Sequence, residues 1–327
     1  MMANSGAGQV QVGRAPKTRG LFPVVIAGAL LALLPHLDLG DSRSLAVLQA
    51  LLPALCLAAL ALGLFLLFRR VWVPAAVLLV SAAVSLVPVL QPGAGGTCTP
   101  GVPVTVLSLN AGRGNADPSV LADAITASAP DVLVLVEASE PMLQALAGTL
   151  PQWDYTHRTG SVVTGGAVDT VILSRHPIHS EAPAARQADG SLFDIPVAVI
   201  DLPRAGRIRV AGIHPVPPTH GPASWATTLA AVESWAGQNT DLPLVLAGDF
   251  NATRAHPRFR ALAHGFSDAS PAFGPLAAAT WPADGAVPAF AAIDHVLVRG
   301  LGVIDSGLIA VAGTDHHGIV ARLATCR

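Results

Sequence analysis

From Gly20 to Leu90 the chain is apolar with only short polar joints, in three runs: Gly20 to Leu37, Leu45 to Phe68 and Val71 to Leu90. Each is close to the roughly 20 residues a helix needs to cross a hydrocarbon core. The pattern predicts three transmembrane helices within residues 21–90, after a basic tail at 1–20. The pattern then changes. A stretch rich in Gly, Pro and Thr, residues 91–101, reads as a linker. Beyond it come short β-branched runs: "VPVTVLSLN", "DVLVLVE", "VDTVILSRHPI", "IPVAVIDLP", "RIRVAGIHP", "PLVLAGDF", "AIDHVLVRG" and "GIVARLAT". Helical patterns fit Pro118 to Ala129, Pro141 to Leu150 and Ala223 to Ala236, each opening near a proline or a capping residue. Eight strands with few helices between them predict an α/β fold of two packed sheets flanked by helices over residues 102–327.

Composition supports this division. With 52% apolar and 12% charged residues, the whole chain is too apolar for an ordinary soluble domain, and the excess sits before Leu90. Basic residues beside the runs set an orientation, because they favour the cytoplasmic side. Arg14, Lys17 and Arg19 precede the first run and Arg69 and Arg70 separate the last two, whereas the first connection holds Arg43 beside Asp38 and Asp41. The expected topology is a cytoplasmic amino terminus, a multi-pass cell-membrane segment and an extracytoplasmic domain. Reading the first run as a signal peptide leaves the same orientation, although no small-residue cleavage pattern follows it. Cys56 lies within the second run, while Cys98 and Cys326 bracket the outer region, where a disulfide between them is expected in an oxidising compartment. The alternative is two unrelated thiols near chain ends.

Polar residues then fall at telling places. Four strand-like runs finish on Asn110, Glu137, His214, and Asp249 with Asn251, whereas Asp294 and the pair Asp315 and His316 precede two later runs. If those two strands run antiparallel to the other four, all these groups meet at one rim. Taken singly, Asp249 or Asn251 could cap a turn and Asn110 could do the same. Taken together, Asn110, Glu137 and Asp315 offer hard oxygen ligands and no thiolate, which suits Mg²⁺ or Mn²⁺. His214 and His316 can act as acid or base, with Asp294 fixing the tautomer or charge of His316. Asp249 can orient or deprotonate a water, and Asn251 can donate to charge developing on an oxygen. These parts describe hydrolysis of a phosphoester. His157, His176, His179, His220, His256 and His264 have no such placement and read as surface or turn histidines. His317 points to the opposite face by strand alternation.

The ordered set "LSLN", "VLVE", "GIH", "GDFN", "IDHVLV" and "TDHHGI" resembles the endonuclease/exonuclease/phosphatase superfamily over essentially all of residues 102–327. "VILSRHPI", around Arg175, resembles a further segment of that family. The resemblance implies a DNase I-like four-layer sandwich and Mg²⁺-dependent cleavage of a phosphorus–oxygen bond. By position it makes Glu137 the principal metal ligand, with Asn110 and Asp315 nearby. It assigns the water to Asp249, the phosphoryl group to Asn251, and contacts with phosphoryl oxygens to His214 and to His316 paired with Asp294. Thr314 stands where the family usually has Ser, and Gly318 where it usually has Pro.

Fold and motif do not name the phosphoester. From residue 91 onward there are 13 arginines, no lysine and 19 acids, a net charge of about −6, so the domain lacks the basic footprint a nuclease needs. Arg254 and Arg258, with Arg260, follow "GDFN" and are candidates for an anion clamp, against the alternative of a solvated loop. In architecture the chain resembles the membrane-anchored bacterial members associated with teicoplanin resistance, the VanJ type. That resemblance implies a polyprenyl phosphate or diphosphate of the cell-wall lipid cycle as substrate. The rivals are an extracytoplasmic nuclease, a sphingomyelinase-like phospholipase and a non-catalytic binding protein retaining the fold.

Overall fold

The computed structural model describes residues 21–90, 100–160, 169–185, 194–273 and 276–326. The expected Cys98–Cys326 bridge and most of the linker lie outside these residues.

The amino-terminal helices are α1 (Leu21–Leu33), α2 (Arg43–Ala50), α3 (Leu52–Phe68) and α4 (Trp72–Leu86). With the 3₁₀ turn that follows it, α4 forms an 18-residue segment, Trp72–Val89, of mean hydropathy 2.1, long and apolar enough to cross a membrane. The predicted second span is not one helix. It breaks at Leu51 into α2 and α3, which meet at 59°. Pro53 explains the break: it has no N–H for the carbonyl of Gln49, and its ring would clash there in a continuous helix. The first predicted span is also shorter than expected, ending in a 3₁₀ turn at Pro35 and His36. By length and composition the described residues thus contain one clear candidate span, or two if the bent pair counts as one. Phe22, Leu57, Leu64, Phe68 and Trp72 nevertheless lie largely exposed on these helices.

The rest is two six-stranded sheets. The first has the order β13-β14-β1-β2-β4-β3, built from β1 (Pro100–Asn110), β2 (Val132–Ala138), β3 (His157–Arg158), β4 (Asp169–Ser174), β13 (Leu301–Ala310) and β14 (His317–Cys326). The second has the order β5-β6-β7-β8-β12-β9, from β5 (Ile178–Glu181), β6 (Val197–Leu202), β7 (Gly206–Ile213), β8 (Leu244–Asp249), β9 (Ser267–Asp268) and β12 (Asp294–Arg299). A two-stranded ribbon, β10 (Ala272–Phe273) with β11 (Leu276–Ala277), completes the strands. Outer helices are α5 (Pro118–Ser128), α6 (Glu140–Thr149), α7 (Pro222–Gln238) and the short α8 (Pro257–Leu262).

Strand alternation makes the layers. Val104 and Val106 of β1 point between the sheets, where Val134, Ile172, Val210, Val245, Val296 and Ile319 join them. Leu107 and Leu109 point outward onto Leu121, Ile125 and Leu146 of α5 and α6. On the other side Leu244 and Leu246 meet Trp225, Leu229 and Phe259 of α7 and α8. Strands buried on both faces read as unbroken apolar runs, as the sequence shows. Two packed mixed sheets with helices on both outer faces fit the predicted sandwich. β13 was not anticipated, since "LGVIDSGLIA" mixes glycine and polar residues and is half exposed.

The helices dock on the sandwich beside the carboxyl end of β8. The His256 ring meets the Ala46 carbonyl through Nε2 at 3.0 Å, Arg258 pairs with Asp38 at 3.0 Å, and Arg260 donates to the Pro35 carbonyl. Ala255 is buried in the same apolar cluster as Leu52, Cys56 and Leu78. His256 is therefore an interior docking residue and not a surface one.

Candidate active site

The strand directions bring the polar residues together. β1 runs parallel to β2 and β7 parallel to β8, while β14 is antiparallel to β1 and β12 antiparallel to β8. Carboxyl ends of four strands and amino ends of two therefore share one rim. Asp249 and Asp294 are direct partners in the β8–β12 register.

Local backbone features aim the side chains. Glu137 has φ of 52° and lies where the β2–β4 register shifts, a bulge that turns its carboxylate toward the site. Asn251 has φ of 49°, another left-handed non-glycine residue at the rim. Gly248 has φ of 141°, and a Cβ there would stand 2.2 Å from the Ile213 carbonyl oxygen, so only glycine lets β8 approach β7 beside His214.

At the floor, Asn110 donates from Nδ2 to Asp249 Oδ2 at 3.1 Å and accepts the Gly112 N–H at 3.1 Å. Glu137 Oε2 accepts the Arg113 N–H at 2.8 Å, and its Oε1 lies 3.6 Å from His214 Nε2. Asp249 Oδ1 accepts the Asn251 N–H at 2.7 Å, and Asn251 Nδ2 donates to the Pro215 carbonyl at 3.2 Å. His316 Nδ1 sits 2.9 Å from Asp294 Oδ2, with its Nε2 3.9 Å from Asp249 Oδ2 and 3.8 Å from Asp315 Oδ1. Asp315 accepts the indole N–H of Trp281 at 2.8 Å. Thr314 takes the place expected for a serine: its hydroxyl donates to the Asn110 carbonyl at 2.7 Å and accepts the His316 N–H. Gly318 has its own reason, since a Cβ there would press to 2.8 Å on Ile309.

Charge follows from this crowding. Burial raises the Asp249 carboxyl well above its ordinary range and the neighbouring Asp294 adds to the effect. Burial also raises Glu137, against the pull of the Arg113 N–H and the His316 charge. For His316, burial works to discharge the ring, but Asp294, Asp249 and Asp315 outweigh it and lift the imidazolium to about 10. Four carboxylates thus share the rim, and burial holds two of them, Asp249 and Glu137, up in pKa.

That donor set fits a hard divalent ion. Asp249, Asp294 and His316 have ligand atoms within 4.8 Å of one another, yet the short Asp294–His316 bond already uses the histidine. Glu137, with Asn110 against it and Asp315 on the same cavity, offers oxygen ligands not committed to His316.

Glu137, His214, Asp249, Asn251, Asp315 and His316 open on one cavity of about 750 Å³, with Asn110 and Asp294 behind them. The expected anion clamp is not part of it. Arg254 is buried against Asp268 at 3.3 Å and Arg258 is spent on Asp38, so both serve docking and packing. The arginine that does line the cavity is Arg113, for whose side chain no hydrogen bond or ion pair is found among the described residues. Its signal was "NAGRGN", an arginine between glycines just after Asn110. His220 is the exposed turn residue expected and also lines the cavity, whereas His317 does not.

Two mixed sheets carrying carboxylates, amides and an acid-bound histidine at one rim, with a donor set that could hold a metal ion, fit a hydrolase of phosphoester bonds. A model of the endonuclease/exonuclease/phosphatase family matches residues 107–316, and the chain belongs to that family. No curated protein matches the chain by sequence. Among solved structures, an endonuclease/exonuclease/phosphatase from Beutenbergia cavernae is similar at 21% identity and TM-score 0.52, covering 68% of this chain and 72% of that one. Mannosyl-6-phosphatase of Bacteroides thetaiotaomicron is similar at 16% identity and TM-score 0.53, covering 68% and 99%. So is TDP2 of D. rerio, complexed with a single-stranded DNA product, at 16% identity, TM-score 0.53 and the same coverage. At these identities the likeness is one of fold.

Proposed function

We propose that the chain is a Mg²⁺- or Mn²⁺-dependent hydrolase acting at the outer face of a membrane on a lipid-linked phosphoester or phosphoanhydride, a polyprenyl phosphate or diphosphate. The carrying observation is that one cavity has the phosphoryl-handling cluster as its floor and residues of the apolar amino-terminal helices in its wall. The largely exposed Leu57, Leu64, Phe65 and Phe68 of α3 favour a membrane-attached segment. Arg69 and Arg70 favour a cytoplasmic turn between α3 and α4, which puts the hydrolase domain outside. A place in the cell-wall lipid cycle, as for the VanJ-type proteins, follows from this reading.

In the reaction we infer, Glu137 with Asn110 and Asp315 would hold a divalent ion, which would supply Lewis-acid polarisation of a phosphoryl oxygen and offset charge developing in the transition state. Asp249, held by Asn110 and the Asn251 N–H, orients water and takes its proton as the water oxygen bonds to phosphorus. The second N–H of Asn251 Nδ2 is free to meet an equatorial oxygen. His316, kept charged by Asp294, donates through Nε2 to the phosphoryl group as the bond to the leaving oxygen breaks. His214 backs Glu137.

The two neighbours above act on or bind a sugar phosphate and DNA, so substrate is argued from this chain. A net charge of about −6 after residue 91 disfavours a nucleic-acid backbone. The test is a panel of polyprenyl diphosphate, sphingomyelin, inositol phosphates and DNA with Mg²⁺ or EDTA, with Asp249→Ala and His316→Ala as controls. Phosphate release from the prenyl lipid, lost with EDTA and in both variants, is the expected result. Cleavage of DNA with no action on the lipid would overturn the proposal.

A further inference from the structure

We infer that the α2–α3 elbow is the substrate's tail-binding wall, so that Val47, Ala50 and Leu51 act as specificity residues of the active site. This deepens the lipid reading above and rests on it for the identity of the substrate. The observation is the composition of the cavity. Its floor holds Glu137, Asp249 and His316, but its lining also takes in Ala46, Val47 and Ala50 of α2, Leu51 at the bend, and Phe290 and Ile293. An inorganic phosphate needs none of that surface. A volume of about 750 Å³ falls in the upper part of the roughly 300–1,000 Å³ typical of small-molecule pockets, leaving room beyond a phosphoryl group.

Two features make the wall a binding surface and not only a dock. Val47 is 37% exposed although it lines the cavity, and Phe290 is likewise 37% exposed, so both present apolar surface that no other side chain covers. The elbow is also held in place by polar contacts that leave that surface open: His256 on the Ala46 carbonyl, and Gln49 Nε2 donating to the Leu34 and Leu37 carbonyls at 2.9 and 2.8 Å. A hydrocarbon chain whose phosphate sits at Glu137 and Asp249 therefore has an apolar path along the elbow. The occupant is the tail of an amphiphilic phosphoester.

The experiment uses the full chain in detergent and a series of water-soluble n-alkyl phosphates from ethyl to octyl, with binding measured by calorimetry in the presence of Mg²⁺. Affinity is expected to climb with chain length, up to about fourfold for each methylene that becomes fully buried. Val47→Asp and, independently on the facing side, Phe290→Ser should flatten the climb, while Val47→Leu keeps it. A wild-type affinity that does not change with chain length overturns the inference, as does a climb that both polar variants leave intact. If polyprenyl diphosphate is not hydrolysed while the climb is present and lost in the variants, the lipid assignment fails and the tail wall stands.

Discussion

Replacing Asp294 by Asn tests the chemistry most directly. The carboxylate lies 2.9 Å from His316 Nδ1, both side chains are buried, and among the described residues no other group holds that nitrogen. Asparagine is nearly the same size and its Oδ1 can still accept from Nδ1–H, so orientation survives and the charge does not. A neutral ring that keeps its proton on Nδ1 has none on Nε2, the atom that faces Asp249 and Asp315. For unit charges about 4 Å apart at an effective dielectric of about 20, the lost interaction is about 4 kcal/mol. At 1.36 kcal/mol per decade this is up to about 10³-fold in kcat, inside the range of roughly 10²–10⁴ for a positioned acid–base group.

The assay is release of p-nitrophenolate from an activated phosphodiester with saturating Mg²⁺, followed by the preferred substrate of the panel. Asp294→Ala should be slower still, by about tenfold, because the buried ring nitrogen then lacks any acceptor. His316→Gln combined with Asp294→Asn should be no slower than His316→Gln alone, since Asp294 acts through the ring. An Asp294→Asn variant within tenfold of wild type, or a double variant whose loss is the product of the two single losses, refutes the relay.

Glu137→Gln should raise the Mg²⁺ needed for half-maximal activity by roughly 10- to 100-fold while leaving the fold intact; a metal titration decides it. Arg113→Ala should raise KM more than it lowers kcat, as expected for a rim cation that binds the anionic substrate, and steady-state kinetics separate the two. Gly248→Ala should destabilise the chain by several kcal/mol, roughly 3 or more by analogy with severe core strain, because the added Cβ meets backbone; denaturant unfolding reads this. Desolvation by burial lowers the pKa of His256 from its ordinary 6.5 to about 4. The unfolded chain therefore takes up the proton first, and stability present in full above pH 6.5 is lost as pH falls through 4, about 3 kcal/mol in all. Thermal unfolding across that window should be steeper for wild type than for His256→Gln.

Much of the site was legible because its groups sit at strand ends, where an apolar run stops on a polar side chain. Asn110, Glu137, His214, Asp249 and Asn251 announce themselves in this way, and an antiparallel assumption sufficed to add Asp294 and His316. Hydrophobic runs fixed the strands for the same reason: a strand buried on both faces has little freedom in composition. β13 escaped because one face is solvent and its glycines and acids carry no period. α2 and α3 escaped as separate helices because hydropathy averages over Pro53, whereas the backbone cannot. Arg113 escaped because a loop residue has no periodicity to betray which way it points.

Arg254, Arg258 and Arg260 misled for a more instructive reason. Basic residues soon after a phosphoryl-binding loop look like an anion clamp, and nothing local distinguishes that from a dock. The distinction lies in Asp38 and the Pro35 and Ala46 carbonyls, some 200 residues earlier in the chain. The same short segment that carries Asp249 and Asn251 into the site therefore grips the apolar helices within a few residues of leaving it. A site built in this way has its phosphoryl floor and its apolar wall fixed to one another through the loop after β8. Loosening the dock at His256 or Arg258 should accordingly disturb the apolar path before it disturbs the floor, because Asp249 stays in register with Asp294 while Ala46 and Val47 lose their hold.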